Sequence, residues 1–167
     1  SVITFPYAHA QAADFTLYAI WVPGIVVSFI SLGTAVSPLT FTGSAMSKPS
    51  DPTRANYTFV KWQDSATAEI SWPYTPSAPI ELSAVWNGNT YRVTFESPRA
   101  TVTQVIIDYT HGLSSINLPN RVRDNYVFQG WYSADTGGSL IGKATATLIP
   151  TQATILYAQW VQTSLSN

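Results

Sequence analysis

The residue types that carry most protein chemistry are scarce in this chain. Cysteine is absent, and histidine occurs twice, as His9 and His111. The lack of cysteine excludes disulfides, thiolate nucleophiles and cysteine-based metal sites, and two histidines are too few ligands for a histidine-rich site. The run from Asp135 to Gly138 lacks the alternating acidic ligands of a calcium loop and is typical of a hairpin turn. We therefore predict no metal and no cofactor.

The other polar residues form no catalytic pattern. His111 follows a predicted strand, beside Asp108, and we expect it to be an exposed turn residue. No Gly-x-Ser-x-Gly elbow is present to activate a serine. Glu96 and Asp108 would come together only if their strands pair, and neither lies in an evident apolar pocket that would separate their pKa values. The sequence therefore predicts that the chain is not an enzyme.

Lys61 leaves one covalent alternative open. A buried lysine beside an asparagine and an acid can form an intramolecular isopeptide bond, and Lys61 lies inside an aromatic segment. The commoner arrangement lays the alkyl stem of the lysine across a neighbour such as Trp62. An intact mass that shows the loss of ammonia would distinguish the two.

The composition excludes two further classes of function. The 167 residues include 8 Lys and Arg and 9 Asp and Glu, for a net charge of −1. Eight scattered cations do not form the basic face that binds nucleic acid or anionic lipid. The longest apolar run, 25–30, has the length of a strand, whereas a membrane span needs about 20 residues. We predict neither nucleic-acid binding nor direct membrane insertion.

The sequence contains an internal repeat. Segments 15–21, 80–86 and 154–160 share the pattern Leu-x-Ala-x-Trp, and segments 56–62 and 125–131 share Asn-Tyr-x-Phe-x-x-Trp. Self-similarity at a nearly fixed period marks a tandem array. Because Thr, Val, Ile and aromatic residues dominate and good helix formers are few, we predict a mostly β fold.

The repeat divides the chain into four predicted parts. Residues 1–22 are the C-terminal remnant of a truncated repeat, 23–88 and 89–161 are complete β repeats, and 162–167 are a disordered tail. We expect the chain to belong to a longer precursor. The joint Asn87-Gly88-Asn89 is too short for a flexible tether, so the small β modules should lie end to end with restricted hinge motion.

Alternation within the segments predicts a buried face in each repeat. Leucine, alanine and tryptophan columns stay constant in the closing segments while the columns between them vary, as expected for a strand with one face in a core. The predicted structural core is Leu17, Trp21, Tyr57, Phe59, Trp62, Leu82, Trp86, Tyr126, Phe128, Trp131, Leu156 and Trp160.

Two columns predict special backbone geometry. Asn56 and Asn125 precede the aromatic strand in both copies, and because Asn tolerates left-handed backbone we predict positive φ there. Gly130 indicates a β-bulge, which would turn Trp131 onto the same face as Phe128. Strict alternation would instead place Trp131 on the opposite face.

Aromatic residues outside the constant columns allow two interpretations. Trp72, Tyr74 and Tyr132 either fill a small core or form an exposed platform that stacks on a sugar or peptide. These three are the candidate ligand-binding residues.

The motifs resemble the Listeria–Bacteroides repeat, which includes the B-repeats of internalin-type bacterial surface proteins. The matching segments of the C-terminal copy are Val93 to Phe95, Leu118-Pro119, Tyr126 to Tyr132, Thr136 to Gly138, and Leu156 to Trp160. The middle copy matches more loosely, through 52–54, 57–62 and 82–86. It departs from the family pattern at Lys61, where the family has Gly, and at Ser83, where the family has Tyr.

The resemblance implies a fold and a function. It implies a small α+β, β-grasp-like module, repeated along a secreted or wall-anchored bacterial protein, with an extracellular location at the cell surface or cell wall. Such repeats serve as spacers or stalks, and the alternative is an adhesive module that binds a glycan or peptide through exposed aromatics or a sheet edge. The expected partners are neighbouring repeats and a host or cell-wall glycan or protein.

Overall fold

The computed structural model describes Tyr18 and residues 23–163, which fold into strands joined by turns. The strands are β1 (Ile25–Ile30), β2 (Leu39–Phe41), β3 (Tyr57–Gln63), β4 (Ile80–Gly88), β5 (Thr90–Glu96), β6 (Gln104–Thr110), β7 (Ile116–Asn117), β8 (Tyr126–Tyr132), β9 (Leu140–Gly142), β10 (Thr147–Leu148) and β11 (Thr154–Gln162). The prediction of a mostly β chain is confirmed. We call the unit of β1–β4 the first repeat and the unit of β5–β11 the second repeat.

The α+β character implied by the resemblance is absent from the described residues, which contain no helix. The long connection between β1 and β3 shows why in the first repeat. It carries Pro38, Pro49 and Pro52 together with Gly33 and Gly43, and proline and glycine disfavour helix more than any other residues. Within the part of the chain that the structure covers, no helix is long and apolar enough to cross a membrane.

Each repeat is built on a mixed sheet with a parallel pair at its centre. The strand order is β2-β1-β4-β3 in the first repeat and β6-β5-β11-β8-β9 in the second, where β7 and β10 form a separate ribbon. The central parallel pairs have matching registers, with Phe29 opposite Leu82 in one and Phe95 opposite Leu156 in the other. The opening and closing strands of the sequence repeat therefore lie side by side in both copies.

Both repeats contain the bulge that the sequence indicated at Gly130. In the second repeat the register of β8 against β11 shifts between Gln159 and Trp160, so that Gln129 has no partner. The rings of Phe128 and Trp131 consequently lie on one face, with centroids 5.6 Å apart. The prediction of a bulge is confirmed, and strict alternation is excluded.

Two separate hydrophobic clusters fill the repeats. The first contains Val27, Met46, Trp62 and Leu82. The second contains Val93, Phe95, Tyr109, Ile116, Leu118, Trp131, Leu156 and Ala158. Each cluster lies on the constant face of its own sheet, so each repeat removes its own large side chains from water.

The predicted core residues occupy two levels of burial. Trp62, Leu82, Trp131 and Leu156 are at most 2% exposed. Six others are half-buried around these, namely Tyr57, Phe59, Trp86, Tyr126, Phe128 and Trp160. Leu17 and Trp21 lie outside the described residues.

The predicted tail needs a correction at its start. β11 continues to Gln162, which is opposite Tyr126. Thr163 then donates its backbone N–H to the carbonyl of Asn125 at 2.9 Å. The ladder with β8 orders these two residues, and residues 164–167 lie outside the described part.

Candidate functional site at the joint between the repeats

A single residue joins the two sheets. β4 ends at Gly88 and β5 begins at Thr90, which leaves Asn89 between them. The N–H of Asn89 donates to the carbonyl of Asn56 in the first repeat at 2.9 Å, and its carbonyl accepts from the N–H of His111 in the second at 2.9 Å. The linking residue is therefore held by both repeats through its backbone.

Side chains add a second set of bonds across the joint. The hydroxyl of Tyr91 donates to Oδ1 of Asn56 at 3.1 Å, and the hydroxyl of Thr58 donates to Oδ1 of Asn89 at 2.7 Å. Asn56 has φ 65° and Asn125 has φ 63°, so the predicted left-handed column is confirmed in both copies. In the first repeat this geometry places the Asn56 side chain within reach of the second repeat.

His111 of the second repeat packs against the first repeat. Its imidazole stands perpendicular to the rings of Tyr57 and Tyr109, at centroid distances of 5.1 Å and 6.2 Å. The prediction of an exposed turn histidine is wrong, because the turn after β6 lies against the first repeat and His111 is half-buried there. Its Nδ1 is buried and has no hydrogen-bond partner among the described residues.

Two glycines allow this close approach. A Cβ added to Gly88 would overlap the backbone carbonyl of His111. A Cβ added to Gly112, which has φ +84°, would lie 2.6 Å from the hydroxyl oxygen of Tyr57. The joint therefore needs glycine on each side, and Gly112 also needs it for its left-handed backbone.

An open cavity of about 460 Å³ lies at the joint, and we call it the joint cleft. Its lining from the first repeat is Tyr57, Trp86, Asn87 and Gly88, and its lining from the second repeat is Thr110 to Leu113. The indole Nε1 of Trp86 donates to the carbonyl of Ser31 at 2.7 Å, which fixes the ring in the wall.

An arginine precedes the left-handed asparagine in both repeats and was not among the predicted site residues. The guanidinium of Arg54 lies 4.0 Å from the ring centroid of Tyr57, and that of Arg123 lies 3.5 Å from the ring centroid of Tyr126. The signal was the recurring spacing Arg-x-Asn-Tyr in both aromatic segments. Each stack covers one face of the tyrosine that begins the strand.

The three candidate ligand-binding residues lie in different repeats. Trp72 and Tyr74 are half-buried in the first repeat, pack against its core and meet edge to face at 5.9 Å. Backbone bonds between Tyr74 and Met46 hold this segment in place. Tyr132 is half-buried on β8 of the second repeat, opposite Tyr157. The structure does not bring all three into one repeat.

The acidic residues considered for catalysis are separated on the β5–β6 hairpin. Asp108 accepts two bonds from the guanidinium of Arg92, at 2.9 Å and 3.1 Å, whereas Glu96 accepts from Gln104. The hydrogen bond from Arg92 lowers the pKa of Asp108 and raises that of Arg92 itself. No group of three or more metal-binding side chains occurs in the described ranges.

Lys61 is engaged by a carboxylate. Its Nζ lies 3.5 Å from Oε2 of Glu69, and the glutamate is largely exposed. An isopeptide bond would need a buried lysine, and the Lys61 side chain is 30% exposed. The structure therefore places Lys61 in a surface ion pair.

Comparison with known proteins identifies relatives of both repeats. The Listeria–Bacteroides repeat domain matches residues 26–85 and 91–159. Internalin H of Listeria monocytogenes serovar 1/2a is 33% identical over 124 residues, which are 72% of this chain and 22% of that protein. A putative membrane protein of Evansella cellulosilytica is 28% identical over 152 residues, which are 87% of this chain and 22% of that protein. The chain spans about a fifth of the length of these two relatives.

Proposed function

Since the chain belongs to the Listeria–Bacteroides repeat family, we propose that it is a non-catalytic segment of a bacterial cell-surface protein and acts as a spacer. Such a segment holds another part of the protein at a set distance from the cell. The relative named internalin supports a surface location. We extend the proposal to an extracellular position on the surface or in the cell wall, and to neighbouring repeats as the main partners.

The observation that carries the proposal is the short, bonded joint. Domains joined by a small interface move relative to each other by default. Here a single residue separates the sheets, and its backbone bonds to both repeats. The side-chain bonds of Asn56 and Asn89 add to this restraint. A spacer needs such a joint because a flexible one would not keep its length.

The division into repeats at 23–88 and 89–161 is part of the proposal. It is supported by the two sheets and their separate hydrophobic clusters. The β-grasp-like description of a single repeat also stays a proposal, supported by the parallel central pair that both sheets share.

Distances between spin labels test the spacer directly. Because the chain lacks cysteine, labels attach only where cysteine is introduced. Ser50→Cys in the first repeat and Thr151→Cys in the second are exposed positions. We expect a narrow distance distribution for this pair. The matched control carries a Gly-Ser-Gly-Ser insertion between Asn89 and Thr90, which should broaden it. A distribution equally broad with and without the insertion would refute the spacer.

Adhesion is the second candidate function. β6 is an edge strand of the second sheet, and its outward side chains include Ile106, which is 50% exposed. An exposed edge can pair with an extended peptide. The exposed parts of Trp72, Tyr74 and Tyr132 are the candidate contacts for a glycan or protein partner. Perturbation of β6 amides by an added peptide would favour this function over a pure spacer.

A further inference from the structure

The joint cleft has the size and position of a small-ligand site. Ligand pockets measure roughly 300–1,000 Å³ and occur preferentially at interfaces between domains. The joint cleft measures about 460 Å³ and takes its walls from both repeats. Neither repeat provides the complete lining, so a ligand bound there would depend on the tandem arrangement.

The lining indicates the chemistry of the ligand. The lining contains no Lys, Arg, Asp or Glu, and the nearest described charge to Tyr57 is the guanidinium of Arg54, which is stacked on that ring, so a charged ligand would meet no carboxylate or free cation in the lining. It contains the aromatic rings of Tyr57 and Trp86, which offer flat surfaces that are apolar yet carry polar edges. Asn87 also lines the joint cleft and is exposed, and an asparagine side chain can both donate and accept. A neutral pyranose, with an apolar C–H face and a rim of hydroxyls, matches this combination.

His111, in the lining that comes from the second repeat, carries an unpaired polar atom. Buried polar atoms nearly always have a hydrogen-bond partner, and an exception calls for an explanation. Nδ1 of His111 is buried without one. Because this atom is closed to solvent, we assign it no contact with the sugar.

The end of β11 offers an internal comparison. There Trp160 and Val161 take the places of Trp86 and Asn87 in the repeat pattern. The cavity beside Trp160 measures about 260 Å³ and is lined by two arginines and an aspartate, Arg99, Arg123 and Asp135. The tryptophan at this position of the repeat therefore lines a cavity without charged residues at the joint, and a cavity with charged residues at the end of the second repeat.

From these observations we propose that the joint cleft binds neutral pyranosides, with Trp86 and Tyr57 contacting the sugar ring and Asn87 its hydroxyls. This function is separate from the spacer and needs only the joint as observed. The dissociation constant expected for a shallow site of this kind is on the order of 1 mM.

Titration of the ¹⁵N-labelled chain with cellobiose and with di-N-acetylchitobiose tests the proposal. We expect the backbone amide shifts to concentrate at Gly88, His111 and Gly112 with at least one of the two sugars. Asn87→Arg, which places a long side chain at the mouth, should weaken binding about tenfold or more. Its matched control is Val161→Arg, the same strand position in the second repeat, which should leave binding unchanged.

A second variant distinguishes a loss of binding from a folding defect. Leu113 is 75% exposed on the opposite wall, and Leu113→Arg should weaken binding as Asn87→Arg does. The dispersion of the amide spectrum reports whether each variant is folded. No shifts with either sugar, shifts confined to another surface such as Trp72, or equal losses with Val161→Arg would each overturn the proposal.

Discussion

The hydrogen bond from Tyr91 to Asn56 crosses the joint, and a double-mutant cycle can measure its contribution. The donor and acceptor oxygens are 3.1 Å apart and partly buried. A bond of this kind contributes about 0.5–1.5 kcal/mol to stability. Asn56→Gly is preferable to alanine because φ is 65° there, and alanine would add about 1–2 kcal/mol of left-handed backbone strain. Tyr91→Phe removes only the hydroxyl.

The measurement is the free energy of unfolding in urea, followed by tryptophan fluorescence, for the parent, both single variants and the double variant. We expect a coupling energy of about 1 kcal/mol between Asn56 and Tyr91. The matched control replaces Asn56→Gly with Asn125→Gly, since Asn125 has the same φ in the second repeat and makes no bond with Tyr91. The control cycle should be additive. Additivity within about 0.3–0.5 kcal/mol in the Asn56 cycle would refute the role of this bond.

Three further predictions concern single positions. Trp131→Ala should lower the free energy of unfolding by about 3–5 kcal/mol in urea, because the indole is fully buried against Phe95; a loss below about 1 kcal/mol would contradict this. Gly88→Ala should broaden the spin-label distances across the joint without altering the amide shifts of the two cores, and an unchanged distribution would contradict the close approach. Because Arg92 lowers the pKa of folded Asp108, the pair's stabilisation is present above the ordinary carboxyl pKa and is lost as the pH falls through the lowered value. NMR titration should show a higher pKa of Asp108 in the Arg92→Ala variant. An unchanged pKa would show that Arg92 is not what lowers it.

Features that repeat along the chain were the ones that the sequence could predict. The left-handed backbone of Asn56 and Asn125 follows from a column that recurs at the same offset. The bulge before Trp131 was indicated by Gly130 alone, and the structure shows it in both copies. Recurrence separates a structural requirement from chance, because two copies of one fold place the same demand on the same column. The Arg-x-Asn-Tyr pattern also recurs in both copies. The stacking of arginine on tyrosine could therefore have been predicted from the residues that precede the asparagine.

The joint could not be predicted in the same way. His111 packs on Tyr57 of the other repeat. The way in which two repeats contact each other produces no periodic pattern in the sequence. A histidine that follows a strand and precedes a glycine is most simply interpreted as an exposed turn residue. His111 is half-buried by the neighbouring repeat. The position of that repeat depends on the single linking residue Asn89 and on Gly88.

The bulge shows how two copies meet one structural requirement with different residues. It forms in the first repeat with Lys61 where the second repeat has Gly130, so glycine is not needed for the bulge itself. Glycine is needed in the second repeat because Gly130 has φ +137° and because β9 passes close by, so that a Cβ on Gly130 would lie 2.8 Å from the carbonyl oxygen of Gly142.

In the first repeat the returning chain approaches β3 differently. It makes an isolated bridge between Gln63 and Glu69, and the N–H of Ile70 bonds to the carbonyl of Trp62 at 3.0 Å. The side chain of Lys61 therefore has room to reach Glu69. The departure from the family pattern at this position is thus explained by the neighbouring strand, and the buried tryptophan that follows is the same in both copies.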